Sequence, residues 1–345
     1  MTDEILFDRR GAAGIVTLNR PKALNAVTHT MVRALRAQLD AWAADPTVTR
    51  VVITANGERA FSAGGDIRAL TDLGRAGKKD EMLSFWRDEY PLNACIKMYR
   101  KPYIALIDGI VMGGGVGVSV HGSHRVAGDR FSFAMPEVGI GFFPDVGATW
   151  FLSRMPGGLG AYCGLTGERF DAADALAGGI ATHRVRSAQF PELLDALSGT
   201  VSVDAVLAAF AEPAGEGKIA AQRTEIDRLF AGDTVEAILS ALDRGGGEWA
   251  RKTAATIRAK SPTSLKLALA QVRRGKAWDF ETCMRAEFRI VSRIIEARDF
   301  YEGVRAVIVD KDNAPHWQPA SLADVGDADV ERYFTPRAGD ELVLP

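Results

Sequence analysis

The sequence predicts an α/β protein whose second part is almost entirely helical. In the first half, short apolar runs of strand length alternate with segments of helical periodicity, which is typical of strand–loop–helix units. After about residue 190 the strand pattern nearly disappears, while the helical periodicity continues. With 345 residues, of which 47% are hydrophobic, the chain can bury the core of one large domain, or of one domain with an appendage.

The elements of the first part are bounded by turn and capping residues. Two strands are predicted within residues 4–19, joined through Gly11 to Gly14, and Thr28 is placed to cap a helix that runs to about Ala44. Four more elements are then predicted in chain order: a strand at 51–54, a helix start near Asp66, a helix over 80–98 and a strand at 103–107. These units share no clear sequence identity, so periodicity alone does not establish how they are arranged.

Helical segments follow one another in the second part. They are predicted at 203–211, 234–242, 248–259, 262–273 and 280–297, with an amphipathic helix starting near Asp299. Ser261 followed by Pro262 is typical of a helix start. The final 25 residues, rich in Asp, Gly and Pro, are expected to form an ordered tail at best. We therefore divide the chain into a mixed core, residues 1–200, and a helical region with a tail, residues 201–345.

Composition and charge exclude several classes of protein. A net charge of −2 and a pI near 6.3 give no reason to expect a nucleic acid or an anionic membrane as partner. Three scattered cysteines without a C-x-x-C pair indicate reduced packing residues. The start of the chain lacks the apolar segment of a signal peptide, and no apolar run has the length of a membrane helix. We expect a cytoplasmic protein without a metal site, since no further ligand motif accompanies His121 and His124.

Three consecutive glycines, Gly113 to Gly115, follow the predicted strand at 103–107. Glycines allow close approach of the backbone, and the start of a helix leaves several N–H groups without partners. Such N–H groups can bind an anion or an oxyanion. Two acids follow, Glu137 and Asp145, each directly after a proline and among apolar residues that should raise their pKa values. A backbone oxyanion donor followed by two such acids suggests acyl chemistry.

Four short motifs occur in a distinctive order along the first part. They are A-F-S-A-G-G-D-I at 60–67, Asp108-Gly109 with M-G-G-G at 112–115, A-M-P-E at 134–137, and F-P-D at 143–145. In this order and spacing they resemble the crotonase (enoyl-CoA hydratase/isomerase) superfamily, and within it the 3-hydroxyisobutyryl-CoA hydrolases. The resemblance extends from about residue 5 to about residue 320. It implies that the strand–loop–helix units form a crotonase-like spiral of ββα turns.

The resemblance also implies an acyl-CoA site in the core. Gly65 and Gly114 match the two positions whose backbone N–H groups face the thioester oxygen in the superfamily. The coenzyme A part of the substrate is expected to lie across residues of two loops: Lys22, Ala23, Leu24, Ala63, Asp66 and Ile67. Because coenzyme A belongs to the substrate, no separate cofactor is expected.

The acids distinguish between reactions within the superfamily. Its hydratases carry two glutamates, and the first of these positions is Gly117 here, which cannot act as an acid or a base. The second is retained as Glu137, while Asp145 and Glu89 match acids of the hydrolase pattern. The resemblance therefore implies hydrolysis of a short, branched 3-hydroxyacyl thioester, as in valine breakdown. An enoyl-CoA hydratase or isomerase is the alternative.

Mechanism and assembly remain open at this level. Glu137 acts either as a nucleophile that forms a mixed anhydride or as a general base toward water. Asp145 positions the substrate hydroxyl or the water, and Glu89 helps to bind the hydroxyl. Superfamily members commonly assemble as trimers or pairs of trimers, whereas hydrolase-like members can fold their C-terminal helices onto their own core. A homo-oligomer and a monomer are therefore both compatible with the sequence. A non-catalytic, RNA-binding relative is disfavoured by the lack of a basic excess.

Overall fold

Two β-sheets organise the first part of the chain in the computed structural model, which describes residues 3–337 and 339–345. The larger sheet has the strand order β1 (Ile5–Arg10), β2 (Ala13–Leu18), β3 (Arg50–Ala55), β5 (Tyr103–Ile107), β7 (His124–Ala127) and β9 (His183–Arg184). The smaller sheet has the order β4 (Ala60–Ser62), β6 (Ile110–Met112) and β8 (Ser132–Ala134). Strand β1 is antiparallel to β2, and the strand pairs that follow are parallel.

Each turn of the fold takes one strand from the larger sheet, one from the smaller sheet and then a helical segment. Thus β3 leads into β4, β5 into β6, and β7 into β8. The helices that follow these pairs are α2 (Ile67–Arg75) with α3 (Lys79–Lys97), α4 (Gly114–Gly117) and α5 (Ala148–Arg154). Strand β5 is buried along its whole length, as its unbroken apolar sequence predicts for a parallel strand covered on both faces. The predicted α/β spiral of ββα units is confirmed.

Capping residues start the helices where the sequence predicts. Thr28 accepts a hydrogen bond from the Met31 N–H at 3.2 Å at the start of α1 (His29–Ala44). Asp66 accepts from the Ala69 N–H at 3.3 Å at the start of α2. Ser261 caps α13 (Pro262–Gly275) in the same way. Because each cap satisfies an N–H group that has no partner within its helix, these starts are fixed by local chemistry.

Helices make up most of the remaining chain. Between β8 and about residue 210 lie α5, α6 (Leu159–Thr166), α7 (Ala172–Ala177), α8 (Phe190–Ser198) and α9 (Val203–Phe210). The second part continues with α10 (Arg223–Leu229), α11 (Val235–Gly245), α12 (Glu248–Arg258), α13, α14 (Phe280–Ile294) and α15 (Arg298–Val304), followed by a π-helical turn at Arg305–Val309. The predicted helices of this region are confirmed.

The final 25 residues contain a helix where we predicted only a tail. Helix α16 (Asp327–Phe334) buries Val330, Tyr333 and Phe334, which lie on one face at helical spacing. The Phe334 ring lies 6.1 Å from the ring of Trp278, between centroids. The prediction was wrong because a short helix of this kind is stabilised by the surface against which it packs, and its own sequence gives only a weak signal.

The helices of the second part pack directly on the first part. Helix α13 contacts α5 and α6, and α14 contacts α3 and α5. The rings of Phe142 and Phe300, one from each part, lie 5.3 Å apart and belong to one hydrophobic core. The division near residue 200 stays a prediction. Within the described residues, no helix combines the length and the apolar composition needed to span a bilayer.

Candidate active site

One cavity of about 790 Å³ brings together the residues that the sequence singled out. Its lining includes Lys22, Ala23, Leu24, Ala63, Gly65, Asp66, Ile67, Glu89, Gly114, Glu137 and Asp145. The cavity lies at the carboxyl ends of β4, β6 and β8, because the segments that follow these three parallel strands form its inner wall. Loops at such an edge are a common position for ligand sites, since the strands below hold them rigidly.

The backbone nitrogens of two glycines lie close together at this edge. Gly65 follows β4 and Gly114 follows β6, so the parallel pairing of the two strands brings their loops together. A methyl group added to Gly114 would lie only 3.2 Å from the Gly65 nitrogen. Within the part of the chain that the structure describes, neither N–H group has a hydrogen-bond acceptor in the protein. These two donors therefore lie close together in the lining of the cavity.

Gly113 has a backbone conformation that turns the chain from β6 into α4. Its φ of 43° and ψ of −123° lie in a region that only glycine adopts without strain. A methyl group on this residue would also lie 3.5 Å from Glu137 Oε1. The glycine is thus required for the turn, and the acid lies close to it.

Glu137 begins the 3₁₀ turn Glu137–Ile140 that follows β8. Its side chain is buried, and Oε2 has no hydrogen-bond partner within residues 3–337 and 339–345. Burial raises the pKa of Glu137 well above its usual value, and the nearby charge of Asp145 adds to the rise. A buried carboxyl group with such an oxygen, close to the loops of Gly65 and Gly114, is suited to attack a bound carbonyl carbon or to activate a water molecule.

Asp145 lies in the turn between Phe143 and α5. Unlike Glu137, it accepts hydrogen bonds from neighbouring side chains. The Tyr90 hydroxyl donates to Asp145 Oδ2 at 3.0 Å. Burial raises the pKa of Asp145 to about 7, against the hydrogen bonds from Tyr90 and Trp86, which lower it. The apolar residues around both acids thus have the effect on pKa that the sequence predicts.

The side chain of Glu89, on α3, is buried inside the protein. Its side chain is 1% exposed, and Oε1 has no hydrogen-bond partner in the part of the chain that the structure describes. Burial raises the pKa of Glu89 well above its usual value, and the charges of Asp145 and Glu287 raise it further. A methyl group on Gly114 would lie 2.9 Å from Glu89 Oε1, so this carboxyl group closes the space beside the two N–H groups.

The structure leaves no room for a glutamate at Gly117. A methyl group there would lie 2.8 Å from Asn93 Nδ2 and 2.9 Å from Val146 Cβ. Asn93 is fully buried, and neither of its side-chain polar atoms has a hydrogen-bond partner among the described residues. The sequence analysis did not single out Asn93, although its position four residues after Glu89 places both on one face of α3.

The histidines that we considered for a metal are used in packing. His121 is buried, and its Nε2 lies 2.7 Å from the carbonyl oxygen of Val146. His124 contacts Ser123 and Asp204 through its two ring nitrogens. Among the described residues, no group of three or more acidic, histidine or cysteine side chains is arranged to hold a metal ion.

Comparison with known proteins decides the family. A family model described as enoyl-CoA hydratase/isomerase matches residues 13–334. The chain belongs to the enoyl-CoA hydratase/isomerase family. One relative is the mitochondrial 3-hydroxyisobutyryl-CoA hydrolase of Danio rerio, which is 45% identical over 99% of this chain and 92% of the relative.

Two solved structures of family members share the whole fold. A carnitinyl-CoA dehydratase from Mycobacterium thermoresistibile has a TM-score of 0.94 at 44% identity, and each chain covers 99% of the other. An enoyl-CoA hydratase from Rhodobacter sphaeroides 2.4.1 has a TM-score of 0.93 at 38% identity, over 99% of this chain and 100% of that one. The names of these relatives thus divide between a hydrolase and enzymes that add or remove water.

Further residues of the family site come from the second part of the chain. The lining of the cavity also includes Lys260, Val307, Ile308, Lys311 and Asn313, together with Arg68 of α2. The sequence analysis confined the site to residues 1–200 and missed these residues, because no local pattern connects a residue near 260 or 310 with the glycine loops. With Lys22, these residues give the lining of the cavity four cationic side chains, which are suited to bind an anionic ligand.

Asp66 lines the same cavity, but its carboxylate is already engaged. It accepts a hydrogen bond from Arg20 Nη2 at 3.1 Å in addition to the Ala69 N–H. Its side chain therefore fixes the loop that carries Ala63 and Gly65. The predicted role of Asp66 in substrate contact remains a prediction, as do the roles predicted for the other lining residues.

Proposed function

We propose that this chain hydrolyses an acyl-CoA thioester and that its substrate is 3-hydroxyisobutyryl-CoA. The products are coenzyme A and 3-hydroxyisobutyrate. Relatives named for this activity are 39–45% identical over nearly the whole chain, which supports the substrate class. The observation that carries the proposal is the position of Glu137 and Asp145, buried in one cavity with the free N–H groups of Gly65 and Gly114.

The reaction follows from this arrangement in two alternative ways. The thioester oxygen accepts hydrogen bonds from Gly65 and Gly114, which stabilise the negative charge as the carbonyl carbon becomes tetrahedral. In one route Glu137 attacks that carbon, the C–S bond breaks, and water hydrolyses the resulting anhydride. In the other route Glu137 removes a proton from a water molecule that attacks the carbon directly. Both routes consume one water, and the sulfur leaves as a thiolate that takes up a proton.

Asp145 and Glu89 are suited to the 3-hydroxyl group of the substrate. Asp145 is supported as a carboxylate by Tyr90, so it can accept a hydrogen bond from the hydroxyl. Glu89 has no donor at Oε1 and a strongly raised pKa, which favours its protonated form as a donor. An acyl group without the hydroxyl would leave these buried groups unpaired, and this is an effective basis for specificity.

Hydration or dehydration of an enoyl-CoA is the second candidate. Two solved structures with the same fold bear such names, and the two N–H groups would stabilise an enolate equally well. The position of Gly117 disfavours this reaction. A second glutamate has no space there beside Asn93 and Val146, so addition of water across a double bond lacks one of its two acids.

A panel of acyl-CoA esters tests the two candidates against each other. We expect free thiol to be released from 3-hydroxyisobutyryl-CoA and more slowly from 3-hydroxypropionyl-CoA, with no appreciable hydration of crotonyl-CoA. Thiol release is measured with a chromogenic disulfide, and hydration by the loss of enoyl absorbance. Efficient hydration of crotonyl-CoA without thiol release would overturn the hydrolase assignment.

Lys260→Ala tests the cationic lining of the cavity. We expect KM for 3-hydroxyisobutyryl-CoA to rise by about tenfold with little change in kcat, since a hydrogen bond to a charged group contributes about 1.5–3 kcal/mol. The matching pantetheine thioester lacks the nucleotide phosphates, so its KM should not change. Lys252→Ala is the matched control because Lys252 is exposed and pairs with Glu248. Equal losses with both thioesters would contradict a phosphate contact.

Localisation, assembly and cofactor use remain predictions. We propose a cytoplasmic protein that uses no separate cofactor, and we leave both a monomer and a trimer or hexamer open. The wall formed by Lys260 and Lys311 supports a site completed within one chain, because both residues belong to the same chain as the glycine loops. Light scattering during size-exclusion chromatography measures the assembly directly.

A further inference from the structure

The turn that carries Asp145 has an unfavourable backbone. Val146 has a φ of 53° and Gly147 a φ of 88°, so two consecutive residues lie in the left-handed region. For a β-branched residue such as valine this conformation is rare and strained. Strained residues persist only where the surrounding structure over-determines their conformation, and they are concentrated at functional sites.

A buried acid from a distant helix holds the end of this turn. Glu287, on α14, accepts hydrogen bonds from the Gly147 N–H at 2.7 Å and the Thr149 N–H at 2.8 Å. Its side chain is 0% exposed. The two N–H groups belong to the start of α5, where N–H groups lack partners within the helix and favour a negative charge.

Two further side chains hold the same turn from other directions. Gln271, on α13, donates from Nε2 to the Pro144 carbonyl oxygen at 2.9 Å and to Thr149 Oγ1 at 2.7 Å. The ring of His121 contacts the Val146 carbonyl oxygen at 2.7 Å. Backbone groups on both sides of Asp145 are thus fixed by side chains, two of which come from the second part of the chain.

A purely structural role does not readily account for an acid at this place. Burial raises the pKa of Glu287 to about 8, and its hydrogen bonds to Gly147 and Thr149 only partly oppose the rise. Burying such a group costs stability, and a well-packed apolar side chain is often the more stable choice. A carboxylate has two acceptor oxygens, and here each binds one N–H group of the turn. An apolar side chain could not fix the direction of the turn in this way.

We propose that Glu287 is a positioning residue for Asp145. With Gln271, it holds the turn from Pro144 to Thr149 so that the Asp145 carboxylate faces the cavity beside Tyr90. The inference rests on the proposed function, in which Asp145 binds the 3-hydroxyl group. If so, the second part of the chain contributes to recognition of the acyl group through Glu287 and Gln271. This contribution is separate from the residues of the second part that line the cavity.

Glu287→Gln is the test, because it preserves volume but replaces one acceptor by an amide donor that faces an N–H group. We expect kcat/KM for 3-hydroxyisobutyryl-CoA to fall on the order of 10- to 100-fold, as for a displaced active-site group. The preference over isobutyryl-CoA, which lacks the hydroxyl, should fall as well. Glu281→Gln is the matched control, since Glu281 lies on the same helix and pairs with Arg285 near the surface.

A double-mutant cycle with Asp145→Asn separates positioning from general damage. If Glu287 acts through Asp145, adding Glu287→Gln to Asp145→Asn should change kcat/KM by less than about twofold. The inference would be overturned if the losses in kcat/KM caused by the two substitutions multiply in the double variant. It would also be overturned if Glu287→Gln alone leaves the preference for the hydroxylated substrate unchanged. If Asp145→Asn alone has no effect, the proposed function fails instead.

Gln271→Met provides a second route to the same test if Glu287→Gln does not yield folded protein. It removes the donor to Pro144 and Thr149 at nearly constant volume, and Gln271 Oε1 has no partner to lose. We expect the same loss of preference for the hydroxylated substrate in a protein that is folded by circular dichroism. A folded Gln271→Met enzyme with the wild-type preference would contradict the proposed role of this turn.

Discussion

Glu137→Gln is expected to lower turnover of 3-hydroxyisobutyryl-CoA by on the order of 10²–10⁴, the usual contribution of a positioned acid or base, and by more if Glu137 is the nucleophile. The substitution removes the charge but keeps the volume, so it tests chemistry rather than packing. Glu137 Oε2 has no hydrogen-bond partner among the residues that the structure describes, and the change therefore breaks no hydrogen bond with them at that atom. Stopped-flow measurement of thiol release gives the rate of the chemical step.

Labelling separates the two routes available to Glu137. During a single turnover in ¹⁸O-water, the label enters the Glu137 side chain only if an anhydride forms and water attacks its enzyme-side carbonyl. Mass spectrometry of the peptide that contains Glu137 detects it. If Glu137→Gln and Asp145→Asn both retain wild-type rates, the assignment of these two acids to the reaction is wrong.

The same acids should make turnover dependent on pH near neutrality. Burial raises the pKa of Asp145 to about 7 and the pKa of Glu137 well above its usual value. Because Glu137 must be ionised to attack or to accept a proton, kcat should rise with pH and level off only above the raised pKa of the pair. A rate that is constant between pH 5 and pH 8, after subtraction of spontaneous hydrolysis, would show that neither acid titrates in this range.

Gly114→Pro should lower kcat by on the order of 10²–10³, the contribution measured for a single oxyanion donor elsewhere, because proline has no N–H group. The added ring also introduces a carbon at the Cβ position, 2.9 Å from Glu89 Oε1. Gly114→Ala introduces the same carbon but retains the N–H, so the difference between the two variants measures the donor. Single-turnover rates with saturating substrate provide the comparison.

Folding must be checked for both Gly114 variants, since the residue lies in a buried turn. Thermal melts and far-ultraviolet circular dichroism should match the wild-type protein before the rates are compared. A folded Gly114→Pro enzyme that is as active as Gly114→Ala would exclude the Gly114 N–H from the oxyanion site.

Local chemistry determined much of this protein from the sequence alone. The hydroxyl and carboxyl caps at Thr28, Asp66 and Ser261 start their helices where predicted, because the N–H groups that they satisfy lie within three residues of them. The apolar run at 103–107 predicted a strand, which is β5, and this strand is buried along its whole length. The order of glycine and acid motifs indicated the family and a set of residues that the fold places around one cavity.

Tertiary structure decided what depends on contacts between distant parts of the chain. The burial of Glu89, the lack of space at Gly117 and the support of Asp145 by Glu287 arise where α3, the glycine loops and α14 meet. Lys260, between α12 and α13, likewise reaches the cavity only because the second part of the chain packs against the first. Periodicity and capping report on neighbours within a turn or two, whereas burial and pKa depend on side chains that may be more than a hundred residues away in sequence. Only the packed fold brings such residues together, and so it fixes the electrostatics of the site.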